Sequence, residues 1–122
     1  MTAHEMARAY RWTDQETDVP MPLLDRRRII GSQAMLSHVR LQRGCLVPTH
    51  SHENEQFVCV LEGRMRFLIG KGDSPRREEL ILETGQVLHL PSLVPHAAEA
   101  LEDSVVLDIF SPPSATTGID RG

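Results

Sequence analysis

The chain has 122 residues, of which 40% are hydrophobic and 25% are charged, and its formal net charge is -4. This length suits one domain with a single core and is too short for two, and the composition excludes a disordered chain. The negative balance disfavours nucleic-acid binding, which needs a positive face to displace counterions. No apolar run of about 18 residues is present, and no apolar segment lies near the N-terminus, so we expect no membrane span, no signal peptide and a cytoplasmic location.

The predicted elements are short strands. The first 25 residues are polar and without a sustained period, and we predict an arm with one short strand there. Seven β-rich runs follow, at residues 34–41, 56–61, 65–69, 79–82, 87–90, 96–100 and 105–111. Glycines and prolines separate them, which predicts an all-β sandwich or closed barrel. Gly63 indicates a tight hairpin turn, and residues 70–77 indicate a longer exposed loop.

One group of polar side chains has the spacing of metal ligands. Residues 44–63 read G-x5-H-x-H-x3-Q-x6-G, with His50, His52 and Gln56 at the polar positions. Successive side chains in a strand alternate between faces, so these three share one side and can converge inside a barrel. His96, in a second segment that reads G-x5-P-x4-H, supplies a fourth ligand.

These two segments resemble the two motifs of the cupin superfamily, the first of which usually ends in Glu rather than Gln. The resemblance spans residues 26–113 and implies a double-stranded β-helix, the jelly-roll barrel of RmlC-like cupins. Gln56 stands where most cupins have Glu, and Leu93 and Ala100 replace the second Gly and the Asn of the second motif.

The resemblance also divides the chain. It implies an N-terminal arm over residues 1–28, a cupin β-barrel over residues 29–113 and a flexible C-terminal tail over residues 114–122. Cupins of this size commonly pair by exchanging N-terminal strands, so we expect a homodimer to which the arm contributes the exchanged strand.

His50, His52, Gln56 and His96 are the predicted ligands of one divalent transition metal. Three imidazoles and one amide oxygen suit Ni, Fe, Mn, Zn, Co or Cu and do not choose among them. Gln56 brings no charge, so the site keeps the full +2 of the ion, which favours an anionic ligand such as a carboxylate. The other histidines match no ligand position and are predicted to be structural or surface residues: His4, His38 and His89.

Asp108 and Phe110 share parity with Val106 on the final predicted strand. If this side faces the barrel interior, a carboxyl group lies near the metal, where a raised pKa would suit it to proton transfer. The alternative is a surface Asp at a strand end. Parity alone does not decide between them.

Three segments are similar to the small pectin-degradation cupins called KdgF: LSHVRL at 36–41, PTHSHENEQ at 48–56 and VLDIFSPP at 106–113. In that family a His, His, Gln, His site holds a divalent metal, and the enzyme converts 4,5-unsaturated uronates into linear ketonised sugars. The resemblance implies that Asp108 and Phe110 are catalytic.

One departure concerns the substrate carboxylate. The family commonly has Arg directly after the two prolines, and this chain has Ser114. An Arg there would suit a carboxylate because its guanidinium is planar and bidentate. Arg40 and Arg66 are the alternatives that the sequence offers.

The leading hypothesis is a metal-dependent lyase or isomerase that acts on an unsaturated sugar acid or a similar small enolisable carboxylate. Three alternatives stay open. A cupin dioxygenase or other redox enzyme would consume oxygen, a non-enzymatic sensor would retain a small ligand without turnover, and a structural relative would hold no metal.

Two further groups are interpreted as structural. Arg26, Arg27 and Arg28 are predicted to be solvated at the entrance of a strand, as long cationic side chains usually are. Cys45 and Cys59 are predicted to be reduced thiols, because no secretory signal accompanies them. Cys59 has the opposite parity to the predicted ligands and is not counted among them.

Overall fold

The computed structural model describes residues 6–114. A short 3-10 turn (Trp12–Asp14) precedes ten strands: β1 (Thr17–Met21), β2 (Leu24–Ile30), β3 (Met35–Leu41), β4 (Leu46–His50), β5 (Glu55–Glu62), β6 (Arg64–Ile69), β7 (Glu78–Glu83), β8 (Val87–Leu90), β9 (His96–Ala100) and β10 (Ser104–Ser111). No α-helix occurs among these described residues, and so none is long and apolar enough to cross a membrane.

The strands form two sheets in which every pair is antiparallel. One sheet has the order β1-β2-β3-β10-β5-β8 and the other the order β4-β9-β6-β7. From β3 onward the chain passes back and forth between the two sheets, except at the β6–β7 hairpin, which is the connectivity of a double-stranded β-helix. The predicted all-β jelly-roll barrel is therefore the fold of this chain.

The core lies between the two sheets, because apolar and polar side chains alternate along the strands. In β3, for example, Met35, Val39 and Leu41 are buried, whereas Arg40 is exposed. Burying one such side chain contributes about 1.5–3 kcal/mol. Both sheets contribute to one cluster: Leu24, Val39, Leu41, Cys45, Val47, Val58, Val60, Met65, Phe67, Leu82, Leu90, Ala100 and Val106.

All seven predicted strands are present, and β1 lies within the first 25 residues, where one short strand was predicted. Two strands were not predicted. β2 was missed because its three consecutive arginines resemble a polar segment. β4 was missed because it contains Pro48, and proline is unusual within a strand. β2 crosses the expected boundary between residues 28 and 29, so the division into arm, barrel and tail stays a prediction. Residues 115–122 and His4 lie outside the described part of the chain.

The prediction that the arginine triplet is solvated is wrong for Arg26. This residue lies on the inner face of β2 and is only 3% exposed. Its Nε and Nη2 atoms donate to the two carboxylate oxygens of Asp18 on β1, each at 3.0 Å. Because a buried guanidinium needs a partner, the pairing of β1 with β2 is what allows Arg26 to be inside.

The smaller predictions about turns and thiols are confirmed. Gly63 joins β5 to β6 with a φ of 94°, and the loop 70–77 joins β6 to β7. Cys45 and Cys59 are both free.

Candidate metal centre

Three histidines lie together at one end of the barrel. His50 ends β4 and His96 begins β9, and the two residues are cross-strand partners. His52 follows β4 in the connection to β5. One ligand atom from each histidine lies within 4.8 Å of the other two, so the group could hold a metal ion. The structure thus brings together the three histidines that the motifs singled out.

Backbone carbonyls fix the protonation of the three rings. The Nδ1 atoms of His50, His52 and His96 lie 2.8, 3.0 and 2.9 Å from the carbonyl oxygen of a residue two positions away. A carbonyl oxygen only accepts hydrogen bonds, so each Nδ1 carries the proton and donates it. In the neutral ring the lone pair is then on Nε2, which is the one nitrogen left to bind a metal.

Gln56, near the start of β5, is oriented by Asp108. Its Nε2 atom donates to Asp108 Oδ1 at 3.0 Å, and its Oε1 atom therefore faces His52 Nε2, also at 3.0 Å. When the only ring proton of His52 is on Nδ1, both facing atoms carry lone pairs. Two lone pairs in contact repel unless a cation lies between them. This contact indicates where an ion would bind.

The donor set fits a divalent first-row metal. Three imidazole nitrogens and one amide oxygen are ligands that such ions accept. The facing atoms of His52 and Gln56 are 3.0 Å apart, so both could bind the same ion. His96 Nε2 is buried without a hydrogen-bond partner within residues 6–114, as expected of a nitrogen that binds a metal.

Burial keeps two of the rings neutral. Desolvation lowers the pKa of His96 from 6.5 to about 4; the hydrogen bond to Val94 opposes this shift, and the rings of His50 and His52 add to it. Desolvation also lowers the pKa of His50. Neutral imidazole is the metal-binding form, so His50 and His96 need not lose a proton to bind an ion at neutral pH.

Asp108 faces the barrel interior, not the surface. Its cross-strand neighbours Ser37 and Val58 are both buried on the inner face of the sheet. Burial raises the pKa of Asp108 from 3.8 to about 7, although the hydrogen bond from Gln56 and the positive charge of Arg26 act in the opposite direction. The carboxyl group can therefore gain and lose a proton near neutral pH.

A cavity of about 60 Å³ extends from the site into the barrel. This is room for a few water molecules. Phe110 is 4% exposed, and its ring centroid lies 5.7 Å from that of His52, so it packs against the histidine group and bounds the cavity. The polar end of the cavity is lined by His50, Gln56, His96 and Asp108, and the deeper walls are aliphatic and aromatic.

The two arginines considered as partners of a bound carboxylate face away from the cavity. Arg40 is exposed on the outside of β3, with Nε 3.8 Å from an oxygen of Asp25. Arg66 pairs with Glu79 at 3.0 Å and with Glu99 at 3.4 Å on the outer face of the other sheet. The cation that acts on Asp108 from inside the barrel is Arg26.

Asn54 is a residue of the site that the sequence reasoning missed. It is 6% exposed, and its carbonyl oxygen accepts the hydrogen bond from His52 Nδ1. Its side-chain Nδ2 donates to the carbonyl oxygen of Pro112, just beyond β10. Asn54 thus ties a predicted ligand to the segment that follows Asp108 and Phe110. The sequence did offer one signal for Asn54, which is its amide side chain between the predicted ligands His52 and Gln56.

His38 and His89 lie apart from the group, on the outer face of the six-stranded sheet. His38 packs against Trp12 with ring centroids 5.3 Å apart. His89 stacks on Phe57 at 4.6 Å and lies 2.7 Å from a carboxylate oxygen of Glu55. Both are structural or surface residues, as predicted.

A family model described as the cupin domain matches residues 37–110, which include every predicted ligand. The chain belongs to the cupin family. Among curated proteins no significant match was found.

Solved structures extend the comparison. KdgF from Halomonas sp. is similar to this cupin with 25% identity and a TM-score of 0.80, over 90% of this chain and 97% of that chain. An RmlC-like cupin from Shewanella frigidimarina shares 19% identity and a TM-score of 0.79, over 90% and 95% of the two chains. Oxalate decarboxylase from Lactobacillus farciminis shares the fold, with 15% identity and a TM-score of 0.78, but the match of 90% of this cupin spans only 35% of that chain.

Proposed function

We propose that this cupin is a metal-dependent isomerase or lyase that opens the ring of a 4,5-unsaturated uronate or of a similar small enolisable carboxylate. The Gln56 amide supports this most strongly, because it contacts both His52 and Asp108 at 3.0 Å. It links the predicted metal ligands to a carboxyl group whose pKa is about 7. The similarity to KdgF from Halomonas sp. supports the same class of reaction.

The histidine group and Gln56 would hold one divalent metal, which when bound supplies a Lewis acid for the carboxylate and hydroxyl oxygens of the substrate. The neutral amide of Gln56 leaves the whole positive charge of the site available to an anion. Arg26, which is paired with Asp18, acts on Asp108 by lowering the pKa of its carboxyl group.

Asp108 is the proposed acid and base. As a carboxylate it takes the proton of the anomeric hydroxyl, the bond from C1 to the ring oxygen breaks, and C1 becomes a carbonyl. The ring oxygen is left as an enolate on C5. Protonated Asp108 then delivers the proton to C4, and the enolate becomes a ketone. Substrate and product are isomers, so the reaction needs no co-reactant, and a pKa near neutrality suits both transfers.

Phe110 and the apolar walls have a supporting part. They limit the water around Asp108, which maintains its raised pKa. The cavity of about 60 Å³ is smaller than common ligand pockets of roughly 300–1,000 Å³. A sugar acid therefore has to present its reacting edge to the cavity while the rest of the molecule stays at the mouth.

The test uses unsaturated galacturonate and follows the ultraviolet absorbance of its conjugated double bond. Protein that contains about one metal per chain should remove this absorbance, a chelator should stop the loss, and added metal should restore it. An unchanged absorbance with metal-loaded protein would overturn the proposal. Oxygen uptake recorded on the same sample would assign the site to a redox reaction instead.

A further inference from the structure

We propose that Arg77, at the end of the loop between β6 and β7, binds the carboxylate of the substrate at the mouth of the barrel. This assignment rests on the proposed function and deepens it, because it names the residue that recognises the acid group of a sugar acid. KdgF-like cupins commonly have Arg after the two prolines that follow β10, and this chain has Ser114 there. Arg77 supplies a guanidinium from the other sheet instead.

The loop between β6 and β7 lies at the same end of the barrel as the histidine group. β6 ends at Ile69, whose cross-strand partner on β9 is His96, and His96 is in turn the partner of His50 on β4. The amide of Gly70 donates to the carbonyl oxygen of Pro95 at 2.8 Å, directly before His96. The loop therefore begins beside two predicted ligands and continues beyond the end of the four-stranded sheet.

Arg77 ends this loop, and its guanidinium lies next to the histidine group. Its Nη2 atom donates to Thr49 Oγ1 at 2.9 Å. Thr49 immediately precedes His50, and consecutive Cα atoms are about 3.8 Å apart, so Nη2 lies within roughly 9 Å of the His50 Cα. His50 is also the least buried of the three histidines, so this side of the group faces the mouth. A sugar acid whose reacting edge is in the cavity can span this distance.

Gly72, in the same loop, leaves room for this guanidinium. A Cβ at Gly72 would lie 2.9 Å from Arg77 Nη1 and 4.0 Å from Thr49 Oγ1. The φ of Gly72 is not positive, so its backbone conformation does not require glycine. Glycine at this position therefore serves the packing of the guanidinium against the loop, which holds the charge of Arg77 beside Thr49.

The charge of Arg77 has no acidic partner in the described part of the chain. Its side-chain partner there is the neutral hydroxyl of Thr49, and its Nε atom is buried without an acceptor. Arg66, in contrast, pairs with Glu79 and Glu99 on the outside of the same sheet. Arg77 is half-buried, and a cation that is partly removed from water and lacks a counter-charge attracts an anion.

A carboxylate is the anion that suits this position. A guanidinium is planar and presents adjacent donors that match the two oxygens of a carboxylate. Contact of one oxygen with a metal leaves the other oxygen for a second donor, and the deeper walls of the cavity are aliphatic and aromatic. An uncharged sugar would leave the guanidinium unpaired. The arrangement therefore selects a sugar acid over the neutral sugar of the same size.

The first test measures the binding of galacturonate, which lacks the double bond that the proposed reaction needs. Isothermal titration calorimetry on the metal-loaded full chain should show that galacturonate binds more tightly than galactose. Arg77→Met keeps the length of the side chain without its charge and should raise the Kd for galacturonate by about 10-fold to 100-fold. Arg76→Met is the matched control, because Arg76 is exposed on the same loop, and it should bind galacturonate as the parent does.

A second variant separates binding of the carboxylate from a structural role of Arg77 in holding the loop. Thr49→Val removes the hydroxyl that accepts from the guanidinium but leaves the positive charge in place. The Kd for galacturonate should therefore rise by only about 3-fold. Circular dichroism and urea unfolding should show that the variants are folded.

The ultraviolet assay with unsaturated galacturonate adds a kinetic measurement. Arg77→Met should raise KM by about 10-fold to 100-fold and change kcat much less, because the lost contact is made before and during the reaction. A parent that binds galacturonate through Arg77 without converting the unsaturated sugar would contradict the proposed function and leave the role of Arg77 supported.

Three results would overturn the role of Arg77. The first is a parent that binds galacturonate no more tightly than galactose. The second is an Arg77→Met variant that binds galacturonate as the parent does. The third is an equal loss of affinity in Arg77→Met and in either Thr49→Val or Arg76→Met, which would assign the effect to the shape or the general charge of the loop.

Discussion

Gln56 donates a hydrogen bond of 3.0 Å to Asp108, and this contact determines what each of the two residues can do. It leaves the Gln56 carbonyl oxygen facing His52, and it keeps the Asp108 carboxyl anchored beside the predicted ligands. A Glu at position 56, as in most cupins, could not donate this bond. With Glu at position 56, its carboxyl group and that of Asp108 would lie side by side and compete for one proton. The predicted amide ligand and the Asp108 carboxyl group therefore depend on each other.

We predict that Gln56→Glu retains metal but loses activity. Glu supplies a stronger ligand, so metal content measured by elemental analysis should stay near one per chain or rise. Its negative charge should raise the pKa of Asp108 further, and the rate of uronate conversion at neutral pH should fall by about 100-fold. Parent-like turnover by this variant would show that the amide is not required.

We predict that His96→Ala removes the metal. The buried Nε2 atom of His96 has no other partner within residues 6–114, so the substitution deletes a ligand without breaking a side-chain hydrogen bond at that atom. Metal affinity, measured by competition with a chromogenic chelator, should fall at least about 100-fold. His38→Ala changes a ring that packs on Trp12 outside the barrel and should retain the parent affinity. Equal affinities for the two variants would contradict the assigned site.

We predict a specific pH dependence of stability for the metal-free protein. The pKa of Asp108 is raised from 3.8 to about 7 on folding, so between these values the folded state holds a proton that the unfolded chain releases. The stabilisation of the folded state by this protonated carboxyl is complete below pH 3.8. It is lost as the pH rises through about 7.

The measurement compares the parent with Asp108→Asn by urea unfolding at several pH values. The Asn side chain cannot lose a proton, so only the parent is destabilised as the pH rises. The free energy of unfolding of Asp108→Asn minus that of the parent should therefore increase by roughly 2–4 kcal/mol from about pH 4 to about pH 8. The lowered pKa of His96 gives a trend of opposite sign, but both proteins share it and it cancels in the difference. A constant difference across this range would contradict the burial of the Asp108 carboxyl.

We predict unequal costs for two glycine substitutions. A Cβ at Gly63 would lie 2.3 Å from Ser104 Oγ and 2.6 Å from the carbonyl oxygen of Asp103, and φ is 94°. Gly63→Ala should therefore cost about 3 kcal/mol or more, measured by denaturant unfolding. Gly85 has a similar φ of 92° but nothing within 4 Å of a Cβ. Gly85→Ala should cost only the backbone term of about 1–2 kcal/mol, and equal costs would argue against close packing of this turn.

The sequence predicted the features that depend on local spacing. The motif spacing was enough to single out His50, His52 and Gln56, but they do not share one strand as parity predicted, because His50 ends β4, His52 lies in the connection and Gln56 lies on β5. Glycines and prolines were enough to separate seven of the ten strands. Arg26 could not be placed in this way, because its burial depends on Asp18 in a neighbouring strand and three consecutive arginines indicate solvent. The inward direction of Asp108 likewise required knowledge of the neighbours of β10, which parity does not supply.

The most direct test of the proposed reaction compares the parent with Asp108→Asn at equal metal content. Asn can still accept the hydrogen bond from Gln56, so the predicted ligands stay oriented while the proton-transfer group is removed. We predict that the parent removes the absorbance of unsaturated galacturonate and that the variant is slower by about 100-fold to 10,000-fold. Equal rates for the two proteins, or no turnover by the metal-loaded parent, would contradict the account.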